Sequence, residues 1–477
     1  MERLTAEDLV MLWPDERWPQ EIGCLAVLDG GCLLDADGRF LIEKVRAAIA
    51  GRLHLLPRFR QLLYRPRLGL GPPLWVDSPA FDLNDHLRVM PLPAAAEETQ
   101  LLRATERVVA RRLDQSRPLW EMWFLPGLPE SRIGLLIKMH HAMADGIAGL
   151  ATLGALFDGT PDGSVEPSRS WIPAPLPPAG DLFADNLGRH IAELLHVFSI
   201  LLQPVTTLRH VRSAWPAMRE LIFDRRGPAT SLDRVVGLDR NLAVICSNLD
   251  LINEIAHTHD AKINDVLLAI IAGGLHGLFR SRGEPAEDLM FPIYVPVTLR
   301  RSPRDQARGN LIGQMVVPLP IGSAEPGRRL RQIAAETGKR KARSRPSLGT
   351  LLWSGTARWA LLKVLDRQPM NVTTADLAGP QAPLYFARAR MLEVFPVLPL
   401  VAKVSLAMGA LSYAGQFTIM VVADRAIYPD LDVFVASAQG ELDALARQFV
   451  VKGKAHIQVR EHRRRYSEAN HDHDIDV

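Results

Sequence analysis

With 477 residues the chain is too long for one ordinary core and divides most naturally into two domains. Hydrophobic residues make up 47% and charged residues 23%, a globular balance that excludes a disordered chain. Lys and Arg number 56 against 53 Asp and Glu, a formal net charge of +3, and so slight an excess gives no reason to expect nucleic acid as a partner.

Taken in chain order, the N-terminus Met1-Glu2-Arg3-Leu4-Thr5-Ala6-Glu7-Asp8 is too acidic and polar for a signal peptide. Three cysteines, Cys24, Cys32 and Cys246, lack metal-ligand spacing and suit a cytoplasmic setting. Ile133 to His140 reads as a largely buried strand, and Ile147, Leu150, Leu153 and Leu156 recur at helical spacing just beyond it. Residues 162–180 are rich in proline and glycine and read as a linker.

Next comes a helix whose apolar stripe holds Leu187, Ile191, Leu194, Leu195, Phe198, Leu201 and Leu202, then a second helical segment with Trp215 and several arginines. These helices either pack back onto the domains or lie in a membrane interface. The second half opens on a strand at Leu242 to Cys246, followed by a long apolar helix from Asp265 to Arg280. Strands are expected at Phe291 to Val297, Met315 to Leu319 and Phe417 to Val422, and a last helix near Leu431 to Phe449. Apolar stretches such as Leu392 to Leu411 are broken by Glu393, Pro396, Pro399 and Lys403, so no segment is read as membrane-spanning. The tail from Lys452 reads as disordered, with metal binding by His471-Asp472-His473-Asp474 as the remote alternative. Alternation of strands and helices in both halves predicts α/β or α+β layers.

The sharpest feature is His140-His141-Ala142-Met143-Ala144-Asp145-Gly146. If the strand ran through both histidines their side chains would point to opposite faces, which weakens joint ligation of a metal. Asp145, at the turn into a helix, can brace the loop or cap that helix, and Gly146 permits a tight turn or close approach of substrate. Histidine accepts and returns a proton near neutral pH. The bland alternative is a structural histidine pair beside a capping aspartate.

This motif resembles the HHxxxDG signature of coenzyme-A-dependent acyltransferases related to chloramphenicol acetyltransferase. More narrowly, the chain is similar to the bacterial wax ester synthase/diacylglycerol acyltransferase family. The similarity extends over Leu4 to Asp8, Pro57 to Gln61, Trp75 to Leu83 and Arg117-Pro118-Leu119-Trp120-Glu121. It continues through Ile263-Asn264-Asp265-Val266, Pro296 to Arg300, Gly309-Asn310 and Ser412-Tyr413-Ala414-Gly415. In one place the chain departs from the family: Asp376-Leu377-Ala378-Gly379-Pro380 stands where Asn-Val-Pro-Gly-Pro is common.

The resemblance implies two acetyltransferase-like domains, each a mixed sheet flanked by helices, with a tunnel between them. Residues 1–160 would be the first domain, 161–235 a proline-rich linker and crossover helices, 236–452 the second domain and 453–477 a polar tail. His141 would be the general base, with His140 and Gly146 shaping the tunnel and Asp145 structural, paired with an arginine such as Arg300. Asn264 and Asp265 would support the site from the second domain, although Asn264 also reads as a helix N-cap. Pro118, Leu119, Trp120, Gly379 and Pro380 are weaker candidates for the substrate channel.

The implied reaction moves a fatty acyl group from acyl-CoA to diacylglycerol, making triacylglycerol, or to a long-chain alcohol, making a wax ester. Acyl-CoA is then a substrate, and no metal or cofactor is expected. Because no Ser or Cys occurs between Ile133 and Leu156, direct transfer is more natural than an acyl-enzyme. A lipid-droplet or inner plasma-membrane surface would be a peripheral partner. Two alternatives stay open: a condensation-type enzyme using a carrier-protein thioester, and a non-catalytic lipid-binding relative.

Overall fold

The computed structural model describes residues 2–12, 14–143, 154–163, 170–202, 212, 229–298, 312–322, 325–341 and 370–450. The first half carries β1 (Glu2–Arg3), α1 (Ala6–Leu12), β2 (Glu21–Asp29), α2 (Ile42–Arg52), β3 (Gln61–Tyr64), β4 (Leu74–Asp77), β5 (Leu87–Val89), α3 (Glu98–Val109), β6 (Trp120–Pro126) and β7 (Arg132–His140). A long helix, α4 (Ala179–Leu202), leads towards β8 (Arg240–Asn248), α5 (Leu249–Thr258), α6 (Ile263–Ser281), β9 (Met290–Thr298), β10 (Ile312–Pro320) and α7 (Pro326–Lys341). The chain closes with β11 (Val372–Ala378), β12 (Tyr385–Phe386), β13 (Ala389–Val397), β14 (Leu406–Tyr413), β15 (Gln416–Asp424) and α8 (Leu431–Val450).

Two six-stranded sheets organise these elements, in the orders β12-β13-β2-β7-β6-β5 and β10-β9-β11-β14-β15-β8. Both are mixed, as expected: β6 pairs with β5 and β11 with β14 in parallel, while most other neighbours are antiparallel. The crossover is the feature that sequence order hides. β13 lies late in the chain, yet it pairs with β2 in the first sheet, Val397 opposite Gly23 and Phe395 opposite Leu25.

Side chains stitch this strand to the second sheet. Thr418 Oγ1 donates to the Val394 carbonyl at 2.6 Å, and Tyr413 Oη donates to that of Met391 at 3.0 Å. One apolar core therefore runs through both halves, joining Leu25, Trp123 and Leu136 to Ile270, Phe279 and Met408. At the same junction Glu106 of α3 accepts from the Leu242 amide at 2.9 Å and from Arg425 at 2.6 Å.

β7 explains its own burial. Every residue from Ile133 to His140 is buried, because β2 and β6 flank it and apolar cores cover both faces. A strand in that position reads as a continuous apolar run. Its buried lysine, Lys138, is 2.6 Å from Glu21 on β2 and donates to the Val108 carbonyl at 3.1 Å.

α6 is long and apolar enough to cross a membrane, contrary to the expectation that no segment would be, but 72% of its apolar window is buried inside the fold. It is the central helix of the second half. α4 departs from the packed-crossover expectation in the opposite way. Arg3 holds its first turns, reaching Asp185 at 2.5 Å and the Leu182 carbonyl at 3.0 Å. Beyond that anchor the stripe Phe183, Leu187, Ile191, Leu194, Phe198 and Leu202 stays between 49% and 70% exposed. Amphipathic spacing marks an apolar face but does not say what covers it.

Candidate active site

β7 ends at His140, so the histidine pair straddles the strand exit. His141 is the first residue out, half-buried, and its amide donates to the Gln20 carbonyl at 2.8 Å. His140 is buried, its amide donating to Leu119 at 2.9 Å. Its ring is used internally: Nδ1 accepts the Ala142 amide at 3.0 Å, and Nε2 sits 3.3 Å from Asp15 Oδ1. The His140 ring thus bridges Ala142 and Asp15 inside the fold, while His141 stands half-buried at the strand exit.

Asp15 was not anticipated from the sequence. It is buried, and its carboxylate also takes the Gln20 amide at 2.9 Å and the Gln115 amide group at 2.6 Å. Burial resists its ionisation most strongly, but the His140 and Gln20 contacts outweigh this and hold its carboxyl below the usual range. No local signal could have found it, since the partner ring is far along the chain. Glu21, opposite His140 in the β2 register, is pushed up by burial, against which Lys138 and the Leu113 amide pull.

Asp145, Gly146, Arg300, Gly309 and Asn310 lie outside the described residues. Leu119 and Trp120 are fully enclosed. Leu119 packs with Ala142, Leu4 and Leu9 directly under the histidine turn. Trp120 stacks on His86 and meets the Phe59 ring at a tilt, with its indole N–H donated to the Phe59 carbonyl at 2.8 Å. Pro118 is buried beside them. These residues shape the underside of the loop.

In the second half, Asn264 is half-buried in the first turn of α6. The cap is not Asn264. Asp265 reaches back to the Lys262 amide at 2.9 Å, and its other oxygen accepts the Thr337 hydroxyl at 2.7 Å. An acidic third residue closes the turn because Lys262, at the N-cap position, brings no acceptor of its own. Gly379 and Pro380 dock on the β14–β15 hairpin: the Gly379 amide donates to Ser412 at 2.9 Å, and Pro380 accepts from Ala414 at 3.0 Å. A Cβ at Gly379 would stand 2.6 Å from the Ser412 carbonyl oxygen, so the backbone approach requires glycine. In that hairpin Ala414 and Gly415 both have positive φ, 45° and 80°, the geometry of a tight primed turn.

Asp376 lies on β11 opposite Ala410, reachable by solvent yet crowded enough that burial pushes its carboxyl up to about 6, with Lys341 partly offsetting. An acid raised in this way binds its proton more tightly folded than unfolded, so stability is full below pH 3.8 and declines as pH climbs through about 6. Asp376→Asn is expected to raise stability at pH 7.5 by at most about 1 kcal/mol, discounted for solvent screening. Urea melts at pH 7.5 and pH 4 check this; the gain should vanish at the lower pH.

A cavity of about 540 Å³ lies between α6, α7 and α8, lined by His276, Arg280, Arg329 and Glu441 among others. It contains none of the residues anticipated for the site. Among the thiols, Cys24 on β2 is pushed up to about 12 by burial, which removes it as a thiolate nucleophile.

The architecture defines a class before it defines a family. The solved wax ester synthase/diacylglycerol acyltransferase from Marinobacter aquaeolei VT8 superposes with a TM-score of 0.66 at 20% identity, covering 94% of this chain and 99% of that one. The first condensation domain of the calcium-dependent antibiotic synthetase gives 0.60 at 16% identity over 93% and 96% of the two chains. The fold is thus the two-domain one shared by these acyltransferases and condensation domains.

Sequence is more specific. Residues 4–267 match the wax ester synthase/diacylglycerol acyltransferase catalytic domain, and residues 308–446 match the WS/DGAT C-terminal domain. The chain belongs to the wax ester synthase/diacylglycerol acyltransferase family. A Mycobacterium tuberculosis protein named "Probable diacyglycerol O-acyltransferase tgs1" is 29% identical over 474 residues, 95% of each chain. A second relative from that organism, with the same type of name, is 32% identical over 89% of this chain and 92% of its own.

Proposed function

We propose that the chain is a diacylglycerol O-acyltransferase that moves a fatty acyl group from acyl-CoA to the free hydroxyl of diacylglycerol, and also to long-chain alcohols. The observation that carries this reading is the asymmetry of the histidine pair, with His140 locked inward and His141 half-exposed at the strand exit, in a chain of this family. The His141 imidazole takes the hydroxyl proton as the lipid oxygen attacks the thioester carbonyl. The C–S bond then breaks, and the same proton goes to the departing CoA sulfur. No resident metal or cofactor takes part, and a passage between the two halves brings both substrates to His141.

The deciding experiment gives the purified chain labelled palmitoyl-CoA with diolein, hexadecanol and an alkyl amine in competition, and separates the products by chromatography. Label in triacylglycerol, and to a lesser extent in wax ester, is expected. Label only in amide would support the condensation-type chemistry of the structural neighbour instead.

The acceptor is bilayer-soluble, and α4 offers it a landing surface on the cytoplasmic face of a membrane or on a lipid droplet. A helix with a continuous exposed apolar stripe is suited to lie in the headgroup region. Replacing Leu194 and Phe198 together by Glu is expected to weaken co-sedimentation with phosphatidylglycerol vesicles by roughly 10²- to 10⁴-fold, given about 1.5–3 kcal/mol for each large side chain. Unchanged sedimentation would remove α4 from that role.

A further inference from the structure

We infer that Asp15, outside the histidine motif, is a positioning residue for acyl transfer, holding His140 in one tautomer and thereby fixing the turn that presents His141. The inference rests on His141 being the base. Its geometry is independent of that reading. Ala142 donates its amide to His140 Nδ1 at 3.0 Å, so in the neutral ring the proton must be on Nε2. Nε2 faces Asp15 Oδ1 at 3.3 Å, and among the described residues it has no hydrogen-bonding partner besides this ion-pair-distance neighbour. A carboxylate there selects the Nε2–H form, and only that form can accept the Ala142 amide.

Asp15 reaches the pair by a second route. The same Oδ1 accepts the Gln20 amide at 2.9 Å, and the Gln20 carbonyl accepts the His141 amide at 2.8 Å. Asp15 thus sits behind both histidines, one through the ring and one through the backbone. It is itself held from several sides. Gln115 donates to Oδ2 at 2.6 Å, Arg112 holds the Asp15 carbonyl, and Arg112 Nη2 holds the Glu16 carbonyl at 3.0 Å. The neighbouring Trp18 indole ties the segment to the Val236 carbonyl at 3.2 Å, so the template is braced against the second half as well. A carboxylate fixed in this way behaves as a rigid template for the loop that leans on it.

The test pairs kinetics with a spectroscopic reading of the ring. Nitrogen-15 spectra of histidine-labelled full-length protein at pH 7.5, with His140 assigned through His140→Gln, should show Nε2 protonated and Nδ1 bare in the unsubstituted chain. Asp15→Ala should mix the tautomers and lower kcat roughly 30-fold, as a small misplacement of a reacting group does, with KM for palmitoyl-CoA within about twofold. Asp15→Asn keeps an oxygen for Nε2–H and for the Gln20 amide, so it should retain the tautomer and recover kcat to within about threefold.

A proton on Nδ1 in the unsubstituted chain would overturn the inference, and that reading needs no variant to fold. So would Asp15→Ala at normal kcat, or Asp15→Asn as impaired as Asp15→Ala. Should His141→Ala prove active, the base assignment falls alone, because the ring spectrum still reports what Asp15 does to His140.

Discussion

His141→Ala is expected to lower the rate of ester formation from palmitoyl-CoA by roughly 10²- to 10⁴-fold, the usual contribution of a positioned general base. The same loss should appear with diolein and with hexadecanol, since both acceptors need the same proton removed. Stability should barely change. His141 is half-buried, and the contact that fixes its backbone, the amide to Gln20, survives truncation of the side chain. Rates measured beside urea melts separate the two effects. Ester formation at the normal rate in a folded variant would remove the mechanism.

Lys138→Ala is expected to have the largest effect on stability, about 3–5 kcal/mol, because it leaves Glu21 buried without its countercharge. The Leu113 amide, donating at 2.6 Å, would still hold Glu21, and His140 and Arg240 act on it only electrostatically. Burial already raises the Glu21 carboxyl, with Lys138 the strongest force pulling it back. Removing Lys138 therefore lets the carboxyl rise further, and the folded state then holds a proton that the unfolded state releases. The sign follows: stability of the variant is kept at acidic pH and falls as pH rises through the folded-state value. Urea melts at pH 5 and pH 8 should show a smaller deficit at pH 5. A deficit equal at both values, or under 1 kcal/mol, would contradict a buried unpaired charge.

What the sequence revealed and what it withheld divide along physical lines. β7 and α6 were legible because burial on all sides imposes an apolar run, visible in Ile133 to Ile137 and in Val266 to Ala272. The histidine pair was legible because it stands where such a run stops. The lodging of β13 in the first sheet was not, because alternating residues announce a strand without naming its neighbour, and Val397 finds Gly23 only through the tertiary fold.

Asp15 was hidden for the same reason, its role being set by His140 on a distant strand. Local capping rules pointed to Asn264, one residue short of the side chain that reaches back to Lys262. The Gly379-Pro380 turn suggested a channel wall, and the docking of its backbone on the β14–β15 hairpin is a contact that no local signal announces. The α4 stripe shows the converse limit: spacing identified the apolar face, and exposure to its surroundings could only be read from the fold.

Direct attack of a lipid hydroxyl on the thioester, assisted by His141, is the central claim. The most direct measurement mixes the protein with excess palmitoyl-CoA, follows free thiol, and weighs the intact chain, first without an acceptor and then with diolein. The predicted result is no thiol burst and an unmodified mass until diolein is added, then one thiol released per ester formed. A stoichiometric thiol burst without acceptor, together with a palmitoyl group on the protein, would contradict it.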